Sequence, residues 1–416
     1  MKSRRAFITD LSIIGLGTNL SFKLSNHAYR LEKINEDINW DKIRKCFLAS
    51  KHKLINLNSG SSGVMPSPVL EKYVEATTQI SSYAPYEVSS SWNDIKKQTF
   101  TKLGHHLNAS DGDLHLVRNS TEAINSVLWG IDFSPGDEII YADWDYPFVD
   151  YTLIHLKNTK GVSLKKISGY AFDLSDEEII NHYKSRINSK TKLIILTWIT
   201  HREGRILPVN AIQKIASENG IEVLIDGAHV LGQIEFSIDK LNPDYFATSL
   251  HKWLNCPLGS GLLYTKKGKI SKLSPPISYP ESKQDATNKL DYLGTRAFQN
   301  TIGINAAIEF LERTGISKKE ARLKELTNYW QQGMKNVKNV KIFSKPNQCA
   351  LSSFLIDGVP NKKVKSILES KFNVHVKASG YANGIGFLRV SPNIFTSFKD
   401  LDALIDGIHA ISLGKF

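Results

Sequence analysis

Three short polar groups in this sequence each end an apolar run, and each has a chemical use. Asn119-Ser120-Thr121-Glu122 makes a polar turn between a strand pattern and a helical pattern. Free backbone N–H groups and hydroxyls there meet the positive end of a helix dipole, a geometry that binds phosphate. Asp226, in Asp226-Gly227-Ala228-His229, comes just after the apolar run Ile221 to Ile225. It puts a carboxylate at the carboxyl edge of a parallel sheet, where ligands of open α/β sheets bind. Ser249-Leu250-His251-Lys252-Trp253 ends the next apolar run and brings an amine to the same edge. Singly, each has an ordinary explanation: Ser and Thr cap helices, a strand-end aspartate caps the helix after it, and a loop lysine is solvated. An anion site, a carboxylate and an amine on one sheet edge have a narrower use.

Pyridoxal phosphate requires those three together: an anion to hold, a ring nitrogen to keep protonated, and an aldehyde to condense with an amine. On these residues the sequence resembles the class V aminotransferase family of fold-type I pyridoxal-phosphate enzymes, and within it the isopenicillin-N-epimerase-like branch. The resemblance runs from about Leu54 to Ile411. It implies that Lys252 is the lysine that condenses with the cofactor aldehyde, that Asp226 pairs with the pyridine nitrogen, and that Tyr146, in Asp145-Tyr146-Pro147, stacks on the ring. It implies a phosphate cradle of Ser120, Thr121, Ser249 and His251, with His229 near the phenolic oxygen. Thr295, in Leu293-Gly294-Thr295-Arg296, would reach the phosphate of a neighbouring subunit, which implies a homodimer. Arg389, in Phe387-Leu388-Arg389-Val390-Ser391, would grip the substrate carboxylate. Asn58, in the early loop Asn58-Ser59-Gly60-Ser61-Ser62-Gly63, and Arg296 are further substrate-side elements.

Two segments depart from the family pattern. Cysteine desulfurases carry a nucleophilic cysteine in a loop shortly before the arginine; here that loop reads Ala378-Ser379-Gly380-Tyr381-Ala382-Asn383-Gly384. The expectation is therefore an enzyme that does not use the persulfide route. In Trp198-Ile199-Thr200-His201-Arg202-Glu203-Gly204, His201 stands where relatives often carry asparagine. It is either an added acid or base on the substrate side or a structural histidine, since imidazole titrates near neutral pH. What the resemblance implies overall is an enzyme acting at the alpha carbon of a small amino-acid-like substrate, with epimerisation, transamination and carbon–sulfur elimination open. A noncatalytic cofactor- or metabolite-binding protein of the same fold is the alternative of another class. The pairing of Asp226 with Lys252 speaks against it, because binding alone needs neither a proton partner nor an aldehyde trap.

Apolar runs alternate with amphipathic helical patterns, which predicts an α/β fold with a mostly parallel sheet between helices. Strands are expected at Leu114 to Val117, Glu138 to Ala142, Leu193 to Trp198, Ile221 to Ile225 and Tyr245 to Ser249. Helices are expected at Thr121 to Ile131, Ser175 to Arg186 and Val209 to Asn219. From about Asn300 two long helices lead into strands near Val340 to Phe343, Leu351 to Ile356, Val374 to Lys377 and Phe387 to Val390. With helices at Asn361 to Ser370 and Ser397 to Leu413 they make a smaller α+β domain. The resulting division is an N-terminal extension over 1–27, a segment contributing to the small domain over 28–80, a large cofactor-binding domain over 81–299, and a C-terminal small domain over 300–416.

The chain has 416 residues, 41% hydrophobic and 23% charged, which excludes a disordered protein. Its three cysteines are far apart, so neither a disulfide framework nor a cysteine-based zinc site is suggested. The formal charge of +12 is spread over lysine-rich stretches such as Lys266 to Lys272 and Lys318 to Lys324, read as solvated surface. No nucleic-acid motif accompanies it. Ser3-Arg4-Arg5-Ala6-Phe7-Ile8 resembles a twin-arginine export signal, which implies a periplasmic or exported protein; the alternative is an ordinary basic N-terminal extension on a cytoplasmic one. The apolar stretch after it is too brief to span a membrane, and none later is long enough.

Overall fold

The computed structural model describes residues 38–277, 289–381 and 384–416. The paired arginines near the N-terminus, and Ala382 and Asn383 of the loop before Arg389, lie outside them. In chain order the first eight strands are β1 (Ile55–Asn56), β2 (Leu114–Val117), β3 (Glu138–Ala142), β4 (Ser163–Ile167), β5 (Thr191–Thr197), β6 (Glu222–Asp226), β7 (Tyr245–Ser249) and β8 (Gly261–Thr265). Seven form one sheet in the order β2-β8-β7-β6-β5-β3-β4. β8 alone runs antiparallel to its neighbours, β2 and β7; the other pairings are parallel. The carboxyl ends of β2, β5, β6 and β7 therefore share one edge, which is where the three polar groups sit.

The central strands are buried on both faces, as their continuous apolar runs require. Ile139, Leu193, Ile195, Leu224 and Leu263 belong to the core on one side, with Ile124, Val127 and Leu128 of the helix Ser120–Gly130 packed on them. β4 and β8 are absent from the strands expected from sequence. β4 is an edge strand bearing Lys165 and Lys166, so it lacks an apolar signature. β8 is inserted between strands distant in sequence, a pairing no local pattern encodes. Gly261, its first residue, passes under the phosphate-type turn so closely that a Cβ there would lie 2.6 Å from the backbone of Asn119. A side chain at 261 would push that turn away from the sheet.

A second sheet is built from β9 (Val340–Ile342), β10 (Ser352–Ile356), β12 (Lys377–Gly380) and β13 (Gly386–Val390), antiparallel throughout in the order β12-β13-β10-β9. The expected strand Val374 to Lys377 is divided. Its first half, β11 (Val374–His375), pairs in parallel with β1, and its last residue begins β12. Trp330, Phe354, Leu388, Leu401 and Leu404 fill the core beneath this sheet. The helix Ser67–Leu107, broken by non-helical backbone at Tyr83, has no counterpart among the expected elements. Pro85 and a run of serines interrupt its apolar spacing, and it is held by packing on the helix Gln299–Thr314. No helix among the described residues is long and apolar enough to cross a membrane.

Candidate active site

A cleft of about 640 Å³ opens on the carboxyl edge of the large sheet and is closed on its far side by β12 and β13, a volume suited to a small-molecule ligand. Ser120, Thr121, Tyr146, His201, Asp226, His229, Ser249, His251, Lys252 and Arg389 all line it. Positions far apart along the chain are thus brought together by strand ends and one neighbouring sheet.

The anion end is built by the start of the helix Ser120–Gly130. Asn119 caps it by accepting the Glu122 N–H at 2.9 Å. The Ser120 N–H donates to Ser249 Oγ at 3.0 Å, and the Ser249 hydroxyl lies 3.0 Å from Ser120 Oγ, so the end of β7 is tied to the helix start. His251 Nδ1 donates to the Ser260 carbonyl at 2.9 Å, and the residue lines the cleft.

Asp226 ends β6 and is level with Thr197 on β5 and Ala247 on β7. Its Oδ1 accepts the Ala228 N–H at 2.9 Å. Burial pushes its carboxyl up from the usual range, and that hydrogen bond and the nearby Lys252 charge oppose the rise. Lys252 comes after β7 on a buried loop. Burial lowers its amine to about 8; Asp226 resists this and Arg389 adds to it. Lys252 Nζ lies 3.4 Å from His229 Nε2. Trp253 Nε1–H donates to His229 Nδ1 at 3.1 Å, which places the imidazole proton on Nε2, facing the amine. Burial first, then the Lys252 charge, holds His229 well below the ordinary histidine range, so the ring is neutral.

Tyr146 caps the helix Pro147–Lys160, and its ring meets His201 edge-on at 5.1 Å. Burial and the charge of Asp226 both raise its phenol. Arg389, on β13, donates Nη1 to the His201 carbonyl at 2.6 Å, and Nη2 to Asn58 Oδ1 at 3.1 Å and Ser61 Oγ at 2.9 Å. Its Nε is buried with no partner among the described residues, as is His201 Nδ1. Those orphaned groups, an amine with a lowered pKa, a facing carboxylate and a capped helix start fit pyridoxal phosphate and a carboxylate substrate.

The family model described as Aminotransferase class-V matches residues 55–404. The chain belongs to the class-V aminotransferase family. Among curated relatives, this class-V chain is 22% identical to isopenicillin N epimerase of Streptomyces clavuligerus over 90% of its length and 98% of the relative's. It is 26% identical to a probable cysteine desulfurase of Synechocystis sp. over 86% of its length and 91% of the relative's. A solved C-DES mutant with glycine covalently linked to its PLP cofactor shares the fold at a TM-score of 0.80 and 20% identity, covering 87% of this chain and 98% of that one.

Three expectations need correction in the class-V chain. Asn58 does not line the cleft; it holds Arg389 through its carbonyl and approaches His375 Nε2 at 3.2 Å, so it acts through the arginine. Arg296 is likewise not a lining residue. It donates to the Asp291 and Leu116 carbonyls and ties the segment before the helix Gln299–Thr314 to β2. Lys319 is not surface: it is 2% exposed, and its amine donates to the Trp253 carbonyl and, at 3.2 Å, to Asn255 Oδ1. Burial lowers it to about 7. With the Gly63 N–H bonded to the His251 carbonyl at 2.8 Å, it pins the Lys252 loop from two sides. A Cβ at Gly63 would fall 1.9 Å from the Lys252 carbonyl, so only glycine fits there. Thr295 is exposed and not among the residues lining the cleft of its own chain.

Sequence reasoning also missed Thr197, Asp145 and Arg202. Thr197 ends β5 beside Asp226 and so carries the same strand-end signal. Asp145 is fully buried, accepts from Thr197 Oγ1 at 2.7 Å and the Ala142 N–H at 2.7 Å, and is pushed up to about 7 by burial. It fixes the turn that aims Tyr146. Arg202 carries no local signal at all. None of Cys46, Cys256 and Cys349 is among the described residues lining the cleft; all three are buried. Burial pushes the Cys349 thiol up to about 12.

Proposed function

We propose that this chain is a pyridoxal-phosphate enzyme that removes and returns a proton at the alpha carbon of an amino acid or amino-acid-like carboxylate, an epimerase-type activity. The observation that carries the reading is the buried Lys252 amine, lowered to about 8, beside a neutral His229 and the Asp226 carboxylate at the sheet edge. Ser120, Thr121, Ser249 and His251 would hold the phosphate, Asp226 would face the ring nitrogen, and Tyr146 would cover the ring. When bound, the cofactor supplies an electron sink for the bond broken at the alpha carbon.

The remaining work falls to side chains of this chain. Arg389, with its Nε–H unpartnered among the described residues, would hold the substrate carboxylate by its charge and that donor, and so help decide which alpha substituent faces Lys252. Lys252 takes the proton there, because burial lowers its amine to about 8 and so raises the neutral fraction at neutral pH far above that of a solvated lysine. The walls of β12 and β13 keep bulk water from competing for that proton. Epimerisation also needs a proton on the opposite face. His201, whose Nδ1 has no partner among the described residues, lines the cleft and is the residue suited to relay one, accepting a proton at one ring nitrogen as it gives up the proton on the other.

A panel of L- and D-amino acids in deuterated water tests the reading. Alpha-deuterium with inversion is the expected result. Release of a keto acid without ammonia would make the chain an aminotransferase, and ammonia with a beta or gamma leaving group would make it a lyase. A protein whose spectrum no amino acid changes would be a binding protein. The elimination reading has support in the 25% identity to L-cysteine desulfhydrase of Arabidopsis thaliana over 85% of this chain and 86% of that one. The separate persulfide route, supported by the similarity to a probable cysteine desulfurase, is disfavoured by the absence of a cysteine among the described cleft-lining residues.

On the same reading Thr295 reaches the phosphate of a second copy, and the working unit is a homodimer. Sedimentation of the holoenzyme at micromolar concentration should show two copies. A monomer that is fully active would remove Thr295 from the site.

A further inference from the structure

The cleft is unevenly charged. Asp226 is the one carboxylate among its described lining residues, against Lys252, Arg202, Lys377 and Arg389. On the proposed cofactor reading of the site, the phosphate is held at the opposite wall, by the helix start at Ser120 and Thr121. Arg202, Lys377 and Arg389 then remain on the substrate side, and a single substrate carboxylate answers only Arg389.

Arg202 is the unexplained cation. It is 6% exposed, yet among the described residues it forms no ion pair. Its Nε donates to the Gly380 carbonyl at 3.0 Å, its Nη1 to the Asp143 carbonyl at 3.3 Å, and its guanidinium carbon lies 4.2 Å from the centre of the Tyr381 ring. Those are dipoles and an aromatic face, which orient the group without neutralising it. The neighbouring Glu203 is fully buried, accepts the Tyr381 hydroxyl at 2.9 Å and feels the Arg202 charge, but among the described residues it makes no direct ion pair with it. A buried guanidinium held without a direct ion pair is costly, and an anion arriving in the cleft lowers that cost by pairing with it. Lys377 stands at the rim of the same wall, directly across the strand pair from Arg389.

We infer that the substrate carries a second anionic group, and that Arg202, assisted by Lys377, is the residue that selects for it, while Arg389 takes the alpha-carboxylate. The substrate class is an amino acid with an acidic side chain or with a distal carboxylate.

Calorimetric titration of the holoenzyme with glutarate and adipate, and with their uncharged-end monoamides, isolates that second charge at constant size. The dicarboxylates should bind on the order of tenfold or more tightly than their monoamides, since a desolvated charge pair is made only with the former. Arg202→Gln should bring the ratio to about one, Lys377→Gln should reduce it, and Arg202→Lys should restore part of it. Arg389→Gln should weaken both members of each pair. Equal binding of diacid and monoamide by the unaltered protein overturns the inference, as does a ratio that survives both Arg202→Gln and Lys377→Gln. A preparation with no borohydride-reducible linkage at Lys252 would instead defeat the cofactor reading on which the inference rests, a failure read separately from the calorimetry.

Discussion

Replacing Lys252 with alanine abolishes the borohydride-reducible linkage and lowers turnover by roughly 10⁴-fold or more, the upper end of what a positioned general base contributes, because anchor and base are lost together. The geometry makes this a clean experiment. Lys252 projects from a loop held by its backbone neighbours, through Gly63, Asn255 and the buried Lys319, so its side chain can be shortened without releasing the loop. The same group sets a pH dependence in the unaltered protein. Before the cofactor condenses, the amine reacts only when neutral, and its pKa is lowered to about 8. The folded value lies below the ordinary lysine range, so the reactive fraction is small at low pH and grows as pH rises. The rate of linkage formation should climb about tenfold per pH unit below 8 and level off above it. A climb that continues to pH 10 would mean the amine is solvated and the burial argument is wrong. Persistence of the reducible linkage in Lys252→Ala would place the aldehyde partner elsewhere.

Asp226→Asn should lower turnover by about 10²–10³-fold while leaving the reducible linkage at Lys252 in place, the magnitude expected when one preorganised electrostatic partner is removed. Asparagine preserves the shape at the end of β6, and its side-chain oxygen can still accept the Ala228 N–H, so the fold has little reason to respond. What it loses is the negative charge facing the place of the ring nitrogen, and with it the preference for a protonated nitrogen. The carboxylate also opposes the lowering of the Lys252 pKa. Its removal should therefore shift the rise of linkage formation to lower pH, a second readout independent of turnover. Wild-type turnover with an unshifted pH profile in Asp226→Asn would show that the carboxylate faces something other than the cofactor.

Much of this site is readable along the chain because the residues concerned are local punctuation. Ser120, Asp226, Ser249 and Lys252 each lie at or just past the end of an apolar run, and parallel strands deliver the residues after their carboxyl ends to one edge. The helix Ser120–Gly130 is signalled by its Asn119 cap, and the second sheet by apolar runs after Asn300. The readings that failed share the opposite character. Asn58 resembles a substrate contact until its bond to Arg389 is seen, and that pairing spans 331 positions and is invisible in either neighbourhood. Lys319 resembles surface because its helix carries several charged residues; only the packed structure shows that it falls on the buried stripe with Leu323, Leu326 and Trp330.

The sequence alone carried the fold class, which depends on residue type and on periodicity within a few turns or strands, and the strand-end groups whose resemblance pointed to the family. The tertiary structure decided that β8 runs backwards between β2 and β7, that a lysine from the helix Ile316–Gly333 braces the loop of another lysine, and that Arg202 lines the cleft without a direct ion pair among the described residues. Those features depend on which distant surfaces exclude water from one another. Burial of that kind is a property of the assembled chain, and no single segment carries it.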